Sequence, residues 1–166
     1  MKYGRIIVVL VCLATAMVVA TTARADKPIK FPVPGPNGEL PADICGFPVA
    51  VSTTQGNQHG KVYANGIFAA EGVLKLRLTN VTTGKSIDVN ASGPGKLIPQ
   101  ADGTTLLKTT GTSVVFFLPG QLGSGSPGAL LLTRGAITEL LDAAGNPIPG
   151  SFSAGNNVTD LCAALA

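Results

Sequence analysis

Charge and aromatic side chains are scarce in this chain of 166 residues. Only 13% of positions are Asp, Glu, Lys or Arg, 5% are aromatic, and tryptophan is absent. That shortage excludes a coiled coil, which is rich in Glu, Lys and Leu. Histidine occurs once, at His59, and cysteine three times, at Cys12, Cys45 and Cys162. No Gly-x-Ser-x-Gly elbow and no His-Glu-x-x-His helix is present, so two common routes to hydrolytic chemistry are missing. Glycine (21) and proline (12) are abundant instead, and the length allows one domain with little beyond it.

The first residues read as an export signal. Lys2 and Arg5 form a cationic start, Ile6 to Ala20 is almost uninterruptedly apolar, and Ala23-Arg24-Ala25 offers small residues at the −3 and −1 positions of a signal-peptidase site. This three-part layout reads as a secretory signal peptide over residues 1–25, with Asp26 as the first mature residue. The apolar run is shorter than the ~20 residues that span a bilayer, so no stable membrane anchor is expected after cleavage. Cys12 follows Val11 inside that run, which disfavours a lipoprotein anchor there.

Cleavage changes the charge and the cysteine count. The whole sequence has a formal net charge of +3, but residues 1–25 hold Lys2, Arg5 and Arg24 and no acid. The mature chain therefore has nine bases and nine acids. Without a cationic surplus, nucleic acid is not an expected partner. Cys45 and Cys162 remain, and in an oxidising compartment their default state is a disulfide. His59 alone could join them around a metal, short of the usual four ligands, so no metal site and no cofactor is expected.

Residues 26–44 include Pro28, Pro32, Pro34, Pro36 and Pro41 and read as an extended, polyproline-like arm, either loosely ordered or pinned by Phe31 and Val33. Residues 45–166 read as a β domain. Phe47, Val49 and Val51 alternate with small residues, Leu74, Leu76 and Leu78 with Lys75, Arg77 and Thr79, and Ile87, Val89 and Ala91 with polar ones. A period of two marks a sheet with one buried face. Val81-Thr82-Thr83-Gly84 reads as a hairpin connection. Further strands are expected at Lys61 to Phe68, kinked near Gly66, and at Thr104 to Thr109, Ser113 to Leu118, Leu130 to Leu141 and Ile148 to Ala154. A helical alternative exists for Ala136 to Ala144, and a short C-terminal helix is expected near Asp160 to Leu165, capped by Thr159 or Asp160.

The resulting fold class is all-β. The expected architecture is an antiparallel barrel of about eight strands, with a β-sandwich as the alternative. Val114-Val115-Phe116-Phe117-Leu118 is apolar on both faces, as in a strand covered on both sides. The proline-rich arm, the C-terminal helix or a second copy of the chain would cover it, the last giving a homo-oligomer.

Cys45-Gly46-Phe47-Pro48-Val49, Arg77-Leu78-Thr79-Asn80, Thr83-Gly84-Lys85-Ser86, Asn90-Ala91-Ser92-Gly93-Pro94-Gly95 and Asp160-Leu161-Cys162-Ala163-Ala164-Leu165 occur in that order. Together they resemble a family of small exported actinobacterial proteins of unknown function. The resemblance implies a shared β fold and export, and it carries over no catalytic residue. The architecture is distantly similar to the allene-oxide-cyclase and dirigent barrels. Lipocalins usually have a Gly-x-Trp near the first strand, a pattern this tryptophan-free chain lacks.

Few residues remain for chemistry. Gly84-Lys85-Ser86 lacks the upstream glycine of a phosphate-binding loop, since Thr79 stands there. Gly120 to Gly128 reads as a mobile connection, and His59 as a polar loop residue between two strands. Asn80, Asn90 and Asn157 begin glycosylation sequons, which chance explains. Lys75, Arg77 and Asp88 read as solvated exterior. Arg134 and Glu139 are the candidates for an interior charge and hence for ligand binding; no catalytic residue is assigned.

The leading functional expectation is a secreted or extracytoplasmic, non-enzymatic barrel that binds a small apolar ligand or an envelope component, for which an interior apolar cavity is required. A barrel enzyme of cyclase or isomerase type is the alternative and needs a charged group inside. A structural or self-associating protein, acting through Val114 to Leu118, is the third.

Overall fold

The computed structural model describes residues 27–155 and 157–166; the signal peptide read over residues 1–25 lies outside the described residues. Among the described residues the chain runs β1 (Ile29–Val33), β2 (Gly38–Leu40), α1 (Ala42–Cys45), β3 (Val49–Val62), β4 (Phe68–Asn80), β5 (Ser86–Asn90), β6 (Gly95–Pro99), β7 (Thr105–Thr109), β8 (Thr112–Phe117), β9 (Ala129–Arg134), β10 (Ile137–Leu141), β11 (Ser153–Ala154), β12 (Val158–Asp160) and α2 (Leu161–Leu165).

The long hairpin of β3 and β4 is the spine. Its turn is Ala64-Asn65-Gly66, where Gly66 takes a φ of +80° and the Asn65 side chain accepts the Ile67 amide. Asn-Gly is a strong hairpin signal because both residues tolerate left-handed backbone. The strand expected across Lys61 to Phe68 is therefore this turn, with Lys61 and Val62 ending β3 and Phe68 opening β4. Likewise Gly56 to Gly60 is no loop: the segment stays paired with β4 through His59↔Glu71 and Gly60↔Ala70. Pairing on both sides overrides its weak strand propensity.

Each outer edge of the spine carries two short strands. On β3, Val49–Val51 pair with β2, and Gln58–Val62 pair with β1. The proline-rich arm is thus extended and woven into the sheet. Pro32 sits at an edge strand, where a missing N–H is tolerated. Phe31 crosses over Gly60 to reach Phe68, their ring centroids 6.1 Å apart. A Cβ on Gly60 would fall 2.7 Å from the Phe31 ring, so only glycine leaves room for this contact. On β4, the Lys75–Thr79 stretch pairs with β5 and Phe68–Ala70 with β6. The sheet continues from β6 through β7 and β10 to β11, nine strands in all among the described residues.

The remaining strands, β12, β9 and β8, form a separate three-stranded sheet. Its Leu130, Leu132 and Val114 pack with Leu74, Leu76, Leu78 and Val89 of the large sheet and with Ile44, Leu161 and Leu165 of the two helices. Strands alternate as expected around this core, with Leu74, Leu76 and Leu78 in and Lys75, Arg77 and Thr79 out. α2 is capped as expected by Asp160, whose carboxylate accepts the Ala163 amide at 3.1 Å.

The fold is mostly antiparallel β with a short C-terminal helix, and the barrel expectation is corrected: the two sheets do not close and the arrangement is sandwich-like. Two glycines account for the opening. Gly111 (φ +76°) turns the chain out of β7 into β8, and Gly135 (φ +108°) returns it from β9 into β10. Both sit in the backbone region that residues with a Cβ avoid. The single strand expected over Leu130 to Leu141 is consequently two strands in different sheets. Of Ile148 to Ala154, only Ser153–Ala154 is strand.

Cys45 and Cys162 form the expected disulfide, with Cα atoms 5.1 Å apart, tying α1 to α2. No described helix is long and apolar enough to cross a membrane.

Candidate functional site

Three places bear on function: the inner face of the large sheet, the surroundings of the disulfide, and the outer face.

The two candidate interior charges part company. Arg134 ends β9 and is exposed, whereas Glu139 lies on β10 and is only 6% exposed. Directly opposed residues of antiparallel strands share a face, so the register Glu139↔Leu107↔Leu97↔Phe68 places the carboxyl in an apolar row. That is the face of Leu74, Leu76 and Leu78, the inner one. No hydrogen bond or ion pair reaches the Glu139 carboxyl from the described residues, and burial pushes its pKa above the ordinary carboxylate value.

The sign of the consequence follows. The unfolded chain releases this proton at lower pH than the folded one, so stability is highest below the ordinary glutamate pKa. It falls as pH rises through the raised one. Glu139→Gln should therefore be more stable than the parent near neutrality, by on the order of 1 kcal/mol, and the two should converge in acid. Urea denaturation at both pH values checks this; a less stable variant near neutrality would show that the carboxylate has a favourable partner.

Beside the disulfide lies an open groove of about 430 Å³, lined by Asp43, Ile44, Gly46, Gly128, Asp160 and Cys162 among others. Two carboxylates and exposed backbone line it, so it does not present the enclosed apolar interior that a small apolar ligand requires. Gly128 packs against α1 here, where a Cβ would meet Asp43 O at 2.4 Å.

The three-stranded sheet accounts for part of the two-faced strand. Phe117 is buried edge-on against Phe152, with centroids 4.8 Å apart, while Val114 joins the main core. Phe116 and Leu118 remain 47% and 39% exposed at the open β8 edge.

On the outer face, Lys75, Arg77 and Asp88 are exposed as expected. Arg77 Nε and Nη2 donate to the two Asp88 carboxylate oxygens, each at 2.8 Å. The guanidinium holds the Asp88 carboxyl below its usual range. His59 also lies on this face, in a row with Pro32 and Glu71. Glu71 pairs with Lys61, which lowers the pKa of the acid and raises that of the amine.

The next row was not foreseen from sequence. The register Lys30↔Lys61, Lys61↔Ala69, Ala69↔Lys96 and Lys96↔Lys108 sets four lysines in one line across β1, β3, β4, β6 and β7. Four strand spacings make this line about 19 Å long. Lys30 faces Lys61 and Lys96 faces Lys108 directly, an arrangement that costs stability because like charges oppose one another. Lys96 and Lys108 have no ion-pair partner among the described residues.

No three of His, Cys, Asp and Glu converge among the described residues in a way that could hold a metal. The chain matches no protein-family model, no curated protein and no solved structure.

Proposed function

We propose that this chain is an exported, non-enzymatic binding module for a component of the cell envelope, and that it takes its ligand on the outer face of the nine-stranded sheet. The observation that carries this reading is the opening of the sheet. In a closed barrel the contact surface is the interior; here the inner face is occupied by the second sheet and both helices. The outer face is left as an ordered array of side chains at strand spacing. A disulfide-tied β fold with no described membrane-crossing helix suits an oxidising exterior.

The open groove beside Cys45–Cys162 would set a small apolar ligand beside the carboxylates of Asp43 and Asp160. An envelope component on the sheet face needs no such recess. A cyclase or isomerase would work with Glu139 as its acid, and the row around that residue supplies apolar Leu107, Leu97 and Phe68 in place of a second polar group. Self-association has its own support in Phe116 and Leu118 at the β8 edge.

The test is retention on washed envelopes of the exporting host. Labelled protein should bind saturably and be displaced by unlabelled protein. Protein that stays in the supernatant at every concentration would overturn the reading.

A further inference from the structure

We propose that the ligand of this face is a linear polyanion, one whose negative charges recur along its backbone, and that it lies across the strands over the lysine row Lys30–Lys61–Lys96–Lys108. The inference rests on the binding-module reading above and names the chemistry of its partner.

Two features single out the row. Like charges directly opposed across a sheet cost stability, and the row holds two such pairs, Lys30 with Lys61 and Lys96 with Lys108. The mature chain has only nine bases, yet four fall in one line on four strands, β1, β3, β6 and β7. Its acids do not gather to neutralise them: Glu71 meets Lys61, and Lys96 and Lys108 stay unpaired among the described residues.

Shape selects the kind of anion. The row is one residue wide. On one side it is bounded by Pro32, His59 and Glu71, and on the other by the half-buried Ile98, Leu106 and Leu140. A thread of charge laid along it meets the free amines of Lys30, Lys96 and Lys108 over about 19 Å and passes Lys61, whose amine Glu71 already holds, whereas a flat anionic membrane would press broadly on Glu71 and its neighbours. Lysine, a hydrated point charge on a flexible stem, suits a repeating multivalent anion better than one planar carboxylate, which arginine grips in a fork. The row itself carries no aromatic side chain, and Tyr63 beside Lys61 is a single exposed ring, so the successive bases of a single-stranded nucleic acid would find no run of stacking platforms.

The test uses the disulfide-bonded protein with long-chain polyphosphate as probe, and anionic phospholipid vesicles as a second arm. With the three free amines of Lys30, Lys96 and Lys108 engaged, affinity should fall about 20-fold between 50 and 200 mM salt, by the slope for flexible single strands. Lys96→Glu places an acid opposite Lys108, so it should keep or raise the melting temperature while binding weakens at least tenfold and the salt slope flattens. Lys85→Glu, in the β4–β5 turn away from the row, should bind as the parent does. Lysines that serve only solubility would leave polyphosphate binding absent or unmoved by Lys96→Glu. Either result overturns the proposal, as does binding to vesicles without polyphosphate. If Lys96→Glu is retained on envelopes as well as the parent, the polyanion falls and the binding module stands.

Discussion

Replacing Cys45 and Cys162 together by serine should lower the unfolding free energy by about 4–5 kcal/mol, the chain-entropy value for so long a closed loop. The two cysteines are 117 positions apart in sequence, and the bond restricts nearly the whole described chain in its unfolded state. The folded state has its own reasons to bring them together. Ile44, beside Cys45, and Leu161 and Leu165, flanking Cys162, are buried in one cluster with Leu78 and Leu130. The variant should therefore keep the native far-ultraviolet circular dichroism spectrum wherever it is folded and lose stability through a wider unfolded ensemble. Guanidinium denaturation of the oxidised protein and the double variant reads this directly. Equal midpoints would mean that the bond constrains nothing the packing does not already hold.

Asn80→Ala should cost about 3 kcal/mol, the sum expected when buried partners lose their hydrogen bonds. Asn80 ends β4 and is only 2% exposed. Its amide donates to Leu165 O at 3.1 Å, and its side-chain oxygen accepts the Thr82 and Thr83 amides at 2.9 and 3.2 Å. One side chain thus shapes the β4–β5 turn and fastens the end of α2 to it. Alanine leaves the Leu165 carbonyl and the turn amides without this partner. Asn80→Asp should be nearly as harmful, because a carboxylate would face the Leu165 carbonyl without a proton to donate. Thermal melts of both variants check the size and the order. A loss under 1 kcal/mol for alanine would mean that water replaces the side chain at no cost. Asn80 begins a glycosylation sequon in the sequence, and its burial gives the residue a structural use instead.

How far the sequence could be read depended on whether a feature was local. The alternation of Leu74, Leu76 and Leu78 with Lys75, Arg77 and Thr79 is a property of one strand, and the buried face follows from it. The turn at Val81–Gly84, the Asp160 cap and the cysteine pair are local or unique in the same way. Closure of the sheet is not local. It turned on single glycines at 111 and 135, whose φ values send β8 and β9 into a second sheet, and a glycine in a strand pattern does not announce which way the chain leaves. His59 read as a loop residue because Gly56, Asn57 and Gly60 surround it, yet β1 and β4 hold that stretch as strand from either side. The lysine row was hidden for the same reason. Lys30, Lys61, Lys96 and Lys108 are ordinary exposed lysines until four separate pairings bring them into register. Of the two candidate interior charges, Arg134 and Glu139, the break at Gly135 sets them on different strands, and only Glu139 is inside.

The central claim, that the ligand is met on the outside of an open sheet, is tested most directly by mapping where it binds. Nuclear magnetic resonance of the isotope-labelled protein, titrated with solubilised envelope polymer from the exporting host, reports each residue separately. The account predicts shifts concentrated at Lys30, Lys61, Lys96 and Lys108, with Leu97, Leu107 and Glu139 on the inner face unchanged. Shifts centred on Glu139 and its apolar row, with the lysines silent, would contradict it.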